Sequence, residues 1–345
     1  MKKFIYTTSV LALLTVNAYT QDIHFSQYTE NTMNINPALA GTANGFLRAN
    51  LCYRSQWAAF GNAYRTMGFS MDAPFISKRK TYGAYLGGGL NVFQDKAGLA
   101  NLSKLHLAGD LSSVIIMGDG LLSLGIEVAY AQRSIKGSGL KWDSQWANNA
   151  YDPSLPSGET ESASKSAFDF GGGLAYTLRR KASTISSNDG LELTLSAAAF
   201  HFTRPDLGVG GSDPLAIRYT GMIYSMIGLT NTSLRVSPRI LYNQQSSLRE
   251  INAGAIVYYV IQEASSFTGY NSESAVGVGG SYRLGDAFIP EIHYYHGDFF
   301  VGISYDVNLS KLTPWTASRG GLEVTLRFTD VAGKIWGGGQ NARSF

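Results

Sequence analysis

Alternation of apolar and polar residues is the feature of this sequence that most limits its fold. Leu124, Ile126 and Val128, for example, alternate with Gly125 and Glu127. A period of two predicts β-strands with one apolar face, and no helical periodicity of comparable strength occurs. The chain is therefore predicted to be all-β.

The alternation recurs in about fourteen segments, most of them roughly twice as long as an ordinary strand of ~5–6 residues. Segments of that length are typical of strands that cross a bilayer at a tilt. The predicted segments are 46–57, 64–73, 82–94, 101–115, 120–133, 166–180, 191–203, 217–227, 233–244, 248–261, 274–283, 287–295, 299–308 and 320–329.

Two architectures fit this pattern. In a soluble β-sandwich the apolar faces would meet in a core, whereas in a membrane barrel they would face lipid and the polar faces would line a lumen. The length and even number of the segments favour a transmembrane antiparallel β-barrel of about fourteen strands, as do inner-face ions such as Arg48, Glu127 and Arg239. Closure into a barrel also satisfies the backbone hydrogen-bonding groups in lipid.

Composition narrows the choice further. The 345 residues are 44% hydrophobic and 15% charged, with one cysteine. No apolar run of about 18 residues occurs beyond the first twenty, which excludes a polytopic helical membrane protein. Disorder and a disulfide framework are also excluded. The net charge is +3 and the first twenty residues hold two of the lysines and no acid, so the remainder carries +1 and no nucleic-acid partner is predicted.

The first twenty residues are typical of a Sec-type signal peptide. Lys2 and Lys3 precede an apolar stretch from Val10 to Val16, and small residues precede Gln21, where we expect cleavage. The predicted organisation is a signal peptide at 1–20, an N-terminal plug or periplasmic segment at 21–45, the barrel at 46–329 and a C-terminal periplasmic tail at 330–345.

Residues 21–45 do not alternate, and they form either a mobile periplasmic tail or a plug in the lumen. Apolar anchors favour a plug that partly fills the polar lumen; they are Phe25, Tyr28, Met33, Ile35 and Leu39. Glycine triplets at 87–89 and 171–173 lie inside predicted strands. They mark tight bends or leave room for something lying against the inner wall.

Most connection lengths are consistent with a barrel whose termini are both periplasmic, although the connections at 181–190 and 262–273 are long for periplasmic turns. The connection after each odd-numbered strand then faces outside, and the longest, at 134–165, follows the fifth strand, as barrels prefer. Pro238 and Pro290 lie within predicted strands, where each removes a hydrogen-bond donor from the ladder.

A series of motifs follows in order along the chain: QDIHFSQY at 21–28, NPA at 36–38 with Gly41, YRSQW at 53–57, DAP at 72–74, GISYDVN at 302–308 with Ser310, and GGLEV at 320–324. Together they resemble the PorP/SprF family of outer-membrane proteins of the type IX secretion system in Bacteroidota. The resemblance covers essentially the whole mature chain. Ile23 departs from the family pattern, which often has proline there.

The resemblance implies an integral outer-membrane protein without enzymatic activity that works in protein secretion or gliding motility. The implied partners are large secreted cargo proteins or adhesins with a C-terminal (type B) targeting domain, the periplasmic lipoprotein ring of the secretion machine, and outer-membrane lipid. The implied role is export of the cargo or its retention at the cell surface.

Candidate partner-binding residues lie at the end of the first strand and in the C-terminal motifs. Polar groups on the wall or rim of a lumen can hydrogen-bond an extended or folded guest. Alternatively, Arg54 pairs with an acid and Trp57 belongs to an aromatic girdle. The partner-binding candidates are Arg54, Gln56, Trp57, Asp306, Asn308 and Glu323; the N-terminal plug motif comprises Phe25, Ser26, Gln27, Asn36, Pro37 and Gly41.

Two other functions compete with secretion. A barrel of about fourteen strands could be a passive or substrate-selective diffusion channel. A hydrolase would need a histidine between a nucleophile and an acid, and His293, which alternates with Glu291, comes nearest to that arrangement. His293 and His296 lack further ligands at metal-site spacing. The sequence therefore predicts no catalytic residue, no metal site and no cofactor.

Overall fold

The computed structural model of the protein describes residues 22–56, 64–76, 83–98, 101–136, 140–147, 150–158, 162–182, 188–263, 272–310 and 313–331. Within these ranges fourteen antiparallel strands form one closed barrel. They are β1 (Arg48–Gln56), β2 (Tyr64–Ile76), β3 (Ala84–Ala97), β4 (Leu102–Met117), β5 (Gly120–Lys136), β6 (Ser162–Arg180), β7 (Leu191–Phe200), β8 (Arg218–Gly228), β9 (Leu234–Gln245), β10 (Leu248–Gln262), β11 (Ser274–Arg283), β12 (Ala287–His296), β13 (Phe299–Asn308) and β14 (Arg319–Thr329).

Each strand pairs with its neighbours in the sequence, and β1 closes the ring against β14. This closing ladder places Arg48 opposite Thr329 at one end and Gln56 opposite Gly321 at the other. A closed ring leaves no strand edge unpaired. Closure therefore satisfies the backbone of every strand in a medium that offers no hydrogen bonds.

The strands form where the sequence alternates, and the alternation separates lumen from lipid. In β4, Ala108, Asp110 and Ser112 are buried inside, whereas Leu107 and Leu111 are each 46% exposed on the outside. A polar interior with an apolar exterior is the arrangement of a membrane barrel and the reverse of a β-sandwich. The predicted fold class is confirmed.

The predicted segments coincide with the observed strands, and the differences lie at their ends. The largest is in β6, which begins at Ser162 instead of residue 166. Pro238 and Pro290 lie inside β9 and β12 as expected. The long connection between β5 and β6 contains a short 3-10 helix (Asp143–Gln145) and a small hairpin (Trp146–Ala147 with Ala150–Tyr151).

The even number of strands brings both ends of the barrel chain to one end of the barrel, which we call the base; the opposite end is the top. At the base the Phe46 N–H donates to the Asp330 carbonyl at 2.9 Å, and the Asp330 N–H donates to the Leu47 carbonyl at 2.8 Å. The remaining helices are short: Thr32–Ile35, Pro37–Leu39 and Thr313–Thr316. In the described ranges, no helix combines the length and apolar character needed to cross a membrane.

Candidate functional site

Residues 22–45, the N-terminal segment, lie inside the lumen. Its five predicted apolar anchors are all buried, none more than 5% exposed. Tyr28, Ile35 and Leu39 pack with the wall residues Met222 and Leu241 in one apolar cluster. The prediction that the N-terminal segment partly plugs a polar lumen is confirmed.

Three candidate residues from distant parts of the sequence meet in the upper half of the lumen. Arg54 donates from Nη2 to Asp306 Oδ2 at 2.7 Å and from Nη1 to Glu323 Oε2 at 3.1 Å. The register of β1 and β14 places Arg54 opposite Glu323, and Asp306 lies on the next strand, β13. All three side chains are at most 2% exposed. We call this group the clamp.

The clamp holds the backbone of the N-terminal segment. The Ser26 N–H donates to Glu323 Oε2 at 2.7 Å, and the Gln27 N–H donates to Glu323 Oε1 at 2.9 Å. The Ser26 hydroxyl donates to Asp306 Oδ1 at 2.6 Å and accepts from Arg283 at 3.0 Å. A carboxylate that accepts two successive backbone N–H groups forms charge-assisted bonds that do not depend on the side chains of the bound chain.

A second ionic cluster fixes the start of the described chain at the top of the barrel. The Asp22 carboxylate pairs with Lys104, with His201 Nε2 at 2.5 Å and with Arg218 Nη1 at 3.5 Å. The other ring nitrogen of His201 bonds to Asp169. We call Asp22 with its three cationic partners the top cluster.

Electrostatics in the top cluster favour the charged forms. Burial by itself would raise the pKa of Asp22, but Lys104, His201 and Arg218 hold it well below its usual value. Burial would lower the pKa of His201, but the carboxylates of Asp22 and Asp169 raise it above its usual value. The imidazolium form can donate to both carboxylates at once, which neutral imidazole cannot.

Glycines on the inner wall make room for the N-terminal segment. A Cβ at Gly125 would lie 2.3 Å from the Ala38 nitrogen, and one at Gly173 would lie 2.2 Å from Asn36 Oδ1. The Asn36 side chain in turn donates to the carbonyls of Leu174 and Ala197 on β6 and β7, at 2.8 and 3.0 Å. Gly173 belongs to one of the glycine triplets, so of the two readings of the triplets, room for a segment against the wall is confirmed at this position.

A cavity of about 370 Å³, which we call the vestibule, lies at the base between the N-terminal segment and the wall. Its four basic side chains are ion-paired: Arg327 with Glu30 at 2.5 Å, Arg179 with Glu192 at 3.3 Å, Arg235 with Glu273 at 2.6 Å, and Arg48 with Asp72 at 2.7 Å. The aromatic lining residues are Tyr224, Tyr258, Tyr295 and Phe299. The underside of the N-terminal segment therefore borders this cavity.

The other predicted site residues are dispersed. Gln56 is the half-buried last residue of β1, and Trp57 lies outside the described residues. Asn308 ends β13 and donates to Thr316 Oγ1 and the Arg319 carbonyl, both at 3.3 Å. It therefore stabilises the connection between β13 and β14 at the top and is not part of the clamp.

The plug-motif residues all face the wall or turn the chain. The Phe25 ring reaches within 3.2 Å of a Cβ placed at Gly68. Pro37 begins the 3-10 helix. Gly41 has a φ of +68°, and its N–H donates to Asp72 Oδ2 at 2.8 Å.

The histidine considered for catalysis belongs to a structural network. His293 Nδ1 bonds to the Tyr258 hydroxyl at 2.7 Å, while Glu291 is paired with Arg239 and accepts from the Ser281 hydroxyl at 3.2 Å. In the part of the chain that the structure describes, no group of three or more His, Cys, Asp or Glu side chains is placed to hold a metal ion.

Sequence reasoning missed the top cluster and Arg283. Lys104 and Arg218 sit near the top ends of β4 and β8, and His201 follows β7 directly. Alternation could have marked Arg218 and Arg283 as inward-facing, but it gives no information on which residues of distant strands share a level. That information requires the closed ring and the path of the N-terminal segment.

The closed fourteen-stranded ring, its apolar outer belt and its occupied polar lumen define the chain as an outer-membrane β-barrel protein. The family described as "Type IX secretion system membrane protein PorP/SprF" matches residues 17–328. The chain belongs to this PorP/SprF family, and the resemblance read from its motifs is confirmed. No curated protein sequence matches the chain.

Solved structures with a similar fold are distant in sequence. The toluene transporter TbuX of Ralstonia pickettii is 12% identical, with 87% of this chain and 93% of that chain covered and a TM-score of 0.48. BamA of Haemophilus ducreyi lacking POTRA domains 1–3 is 11% identical, with 83% and 70% covered and a TM-score of 0.41. A mutant porin of Rh. blastica is 9% identical, with 82% and 98% covered and a TM-score of 0.31.

Proposed function

We propose that this barrel is a non-enzymatic component of the type IX secretion or gliding system that binds the C-terminal (type B) targeting domain of large secreted proteins or adhesins. Binding supports export of these cargo proteins or their retention at the cell surface. The observation that carries the proposal is family membership over residues 17–328.

The filled lumen supports binding over diffusion. Apolar anchors, the clamp and the top cluster hold the N-terminal segment across the lumen, and the vestibule of about 370 Å³ lies beneath it at the base. A free diffusion channel needs a continuous aqueous path. A large solute flux through liposomes containing the wild-type barrel would favour the channel function instead.

The orientation of the barrel in the outer membrane and its periplasmic partner are part of this proposal. We place the base in the periplasm, so that the vestibule faces the lipoprotein ring of the secretion machine. Residues 332–345 of the predicted periplasmic tail lie outside the described residues. Residues 1–20 lie outside the described chain; we infer that they are a signal peptide removed before Gln21, which N-terminal sequencing of the purified protein would test.

The test of the cargo role is a gene deletion followed by surface proteomics. We expect one or a few large cargo proteins to disappear from the surface and to return with a wild-type copy of the gene, while bulk secretion continues. Loss of all type IX export would assign the barrel to the core machine. An unchanged surface proteome would refute the cargo role. Pull-down of the detergent-solubilised barrel with mass spectrometry identifies cargo and ring partners together.

A further inference from the structure

The inner wall contacts the N-terminal segment through its backbone as well as through its side chains. Side chains from strands around the ring bond to main-chain N–H and C=O groups from one end of the segment to the other. The main-chain groups are those of Asp22 with Gln245, Ser26 and Gln27 with Glu323, Asn34 with Arg218, Ile35 with Thr220, Leu39 with Arg48, Ala40 with Ser112, Gly41 with Asp72 and Tyr85, and Thr42 with Arg179.

Backbone recognition of this kind is largely independent of sequence, because every residue offers the same carbonyl and nearly every residue the same N–H. The contacts with side chains of the segment do discriminate between sequences. The top cluster requires an acidic side chain, since Lys104, His201 and Arg218 converge on the Asp22 carboxylate. The bare wall at Gly125 allows close approach of the bound backbone.

The barrel does not need the N-terminal segment for closure. The segment contributes no strand to the ring, and the β1–β14 ladder closes behind it. It joins β1 at the base, where its residues Thr42, Ala43 and Asn44 line the vestibule. It can therefore leave the lumen toward the base without breaking a strand pair.

We propose that the inner wall is a binding site for a polypeptide segment that adds no strand to the ring, and that the N-terminal segment is its intramolecular occupant. A guest chain with an acidic residue for the top cluster competes for the same wall. The identification of that guest as cargo rests on the proposed function, whereas the binding site itself does not.

The test uses the full chain with a synthetic peptide of residues 22–42, acetylated at its N-terminus and labelled with fluorescein at its C-terminus. Asp22→Asn in the chain weakens binding of its own N-terminal segment to the wall but leaves the wall residues unchanged. We expect the Asp22→Asn chain to bind the peptide at least tenfold more tightly than the wild-type chain by fluorescence anisotropy. The same peptide carrying Asp22→Asn should bind the Asp22→Asn chain at least tenfold more weakly than the wild-type peptide does.

A disulfide provides the matched control. A Cβ at residue 173 would lie 2.8 Å from Asn36 Cγ, so Asn36→Cys with Gly173→Cys brings two Cβ atoms near the ~3.5–4.5 Å that a disulfide spans. The background carries Cys52→Ser, Asp22→Asn and Ala198→Gly, the last because a Cβ at residue 173 would lie 2.8 Å from the Ala198 Cβ. The labelled peptide carries Asn36→Gly, which leaves room for the new side chain at position 173. The reduced protein should bind this peptide and the oxidised protein should not. Equal binding by both forms overturns the proposal.

A measurement on the wild-type chain tests the proposal even if the variants fail to fold. Excess unlabelled peptide added to the ¹⁵N-labelled chain should accelerate hydrogen exchange in its own residues 26–36, because the peptide displaces them. Unchanged exchange at saturating peptide overturns the proposal. Peptide binding together with an unchanged surface proteome in the deletion strain would retain the binding site and refute only the cargo role.

Discussion

Replacing Glu323 by glutamine tests whether the clamp holds the N-terminal segment. The carboxylate accepts the N–H groups of Ser26 and Gln27 at 2.7 and 2.9 Å and pairs with Arg54 at 3.1 Å. Glutamine has almost the same shape, but an NH₂ group replaces one of the two carboxylate oxygens. That NH₂ group is a donor facing groups that are themselves donors. One buried N–H then loses its acceptor.

The magnitude follows from these contacts. An unsatisfied buried group costs about 1–3 kcal/mol, and a hydrogen bond to a charged partner contributes about 1.5–3 kcal/mol. Asp306 still pairs with Arg54, which limits the loss. We expect Glu323→Gln to weaken binding of the N-terminal segment inside the lumen by about 2–4 kcal/mol. Since ~1.4 kcal/mol corresponds to a factor of ten, the population in which the segment is detached from the clamp rises roughly 30- to 1,000-fold.

Hydrogen–deuterium exchange of the barrel in nanodiscs measures this population directly. Exchange of the Ser26 and Gln27 amides should accelerate by the same factor, because exchange requires local opening. The matched control is Glu273→Gln. It removes the same charge from a side chain that is 39% exposed, that pairs with Arg235 and that does not contact the clamp. An acceleration below about threefold, or one no larger than in the control, would refute the clamp as an anchor of the N-terminal segment.

Three further outcomes are expected. Gly125→Ala should speed hydrogen exchange around Ala38, because its Cβ would lie 2.3 Å from the Ala38 nitrogen, while Gly109→Ala, whose Cβ meets nothing within 4 Å, should not; equal effects would contradict the role of Gly125 in making room for the N-terminal segment. Leu124→Arg, on an outward position 58% exposed, should lower the free energy of unfolding in liposomes by about 2–4 kcal/mol if it lies near the bilayer midplane, and no change would argue against a lipid-facing belt. Protection of Asp22 and His24 from exchange, corrected for intrinsic rates, should pass through a maximum with pH. His201, with its pKa raised above 6.5, stabilises binding of the segment at low pH and loses this effect as pH rises through the raised value. His24, with its pKa lowered well below 6.5 by burial and by Arg283 and Arg54, destabilises binding of the segment as pH falls below 6.5, and Asp22, with its pKa held well below 3.8, loses its effect only in strong acid. His201→Gln should abolish the alkaline decline, and an unchanged profile in that variant would refute the assignment.

The sequence by itself predicts the strands, because strand formation here depends on the local alternation of apolar and polar residues. Fourteen alternating segments predict fourteen strands, and the even count predicts termini at one end. The N-terminal segment stands out for the opposite reason: it does not alternate, and its apolar anchors Tyr28, Ile35 and Leu39 need a place to be buried. These inferences use neighbouring residues only, so no tertiary information is required.

Only the tertiary structure decides which polar residues meet. Ser26, Arg54 and Glu323 are separated by up to 297 positions, and ring closure together with the path of the N-terminal segment brings them within hydrogen-bond distance. The same closure pairs Arg54, a candidate for partner binding, with the carboxylates of Asp306 and Glu323 that hold the N-terminal segment. Alternation determines the face on which a residue lies, but the shear of the ring and the course of a non-repetitive segment set its height and its partner, and these are properties of the whole closed barrel.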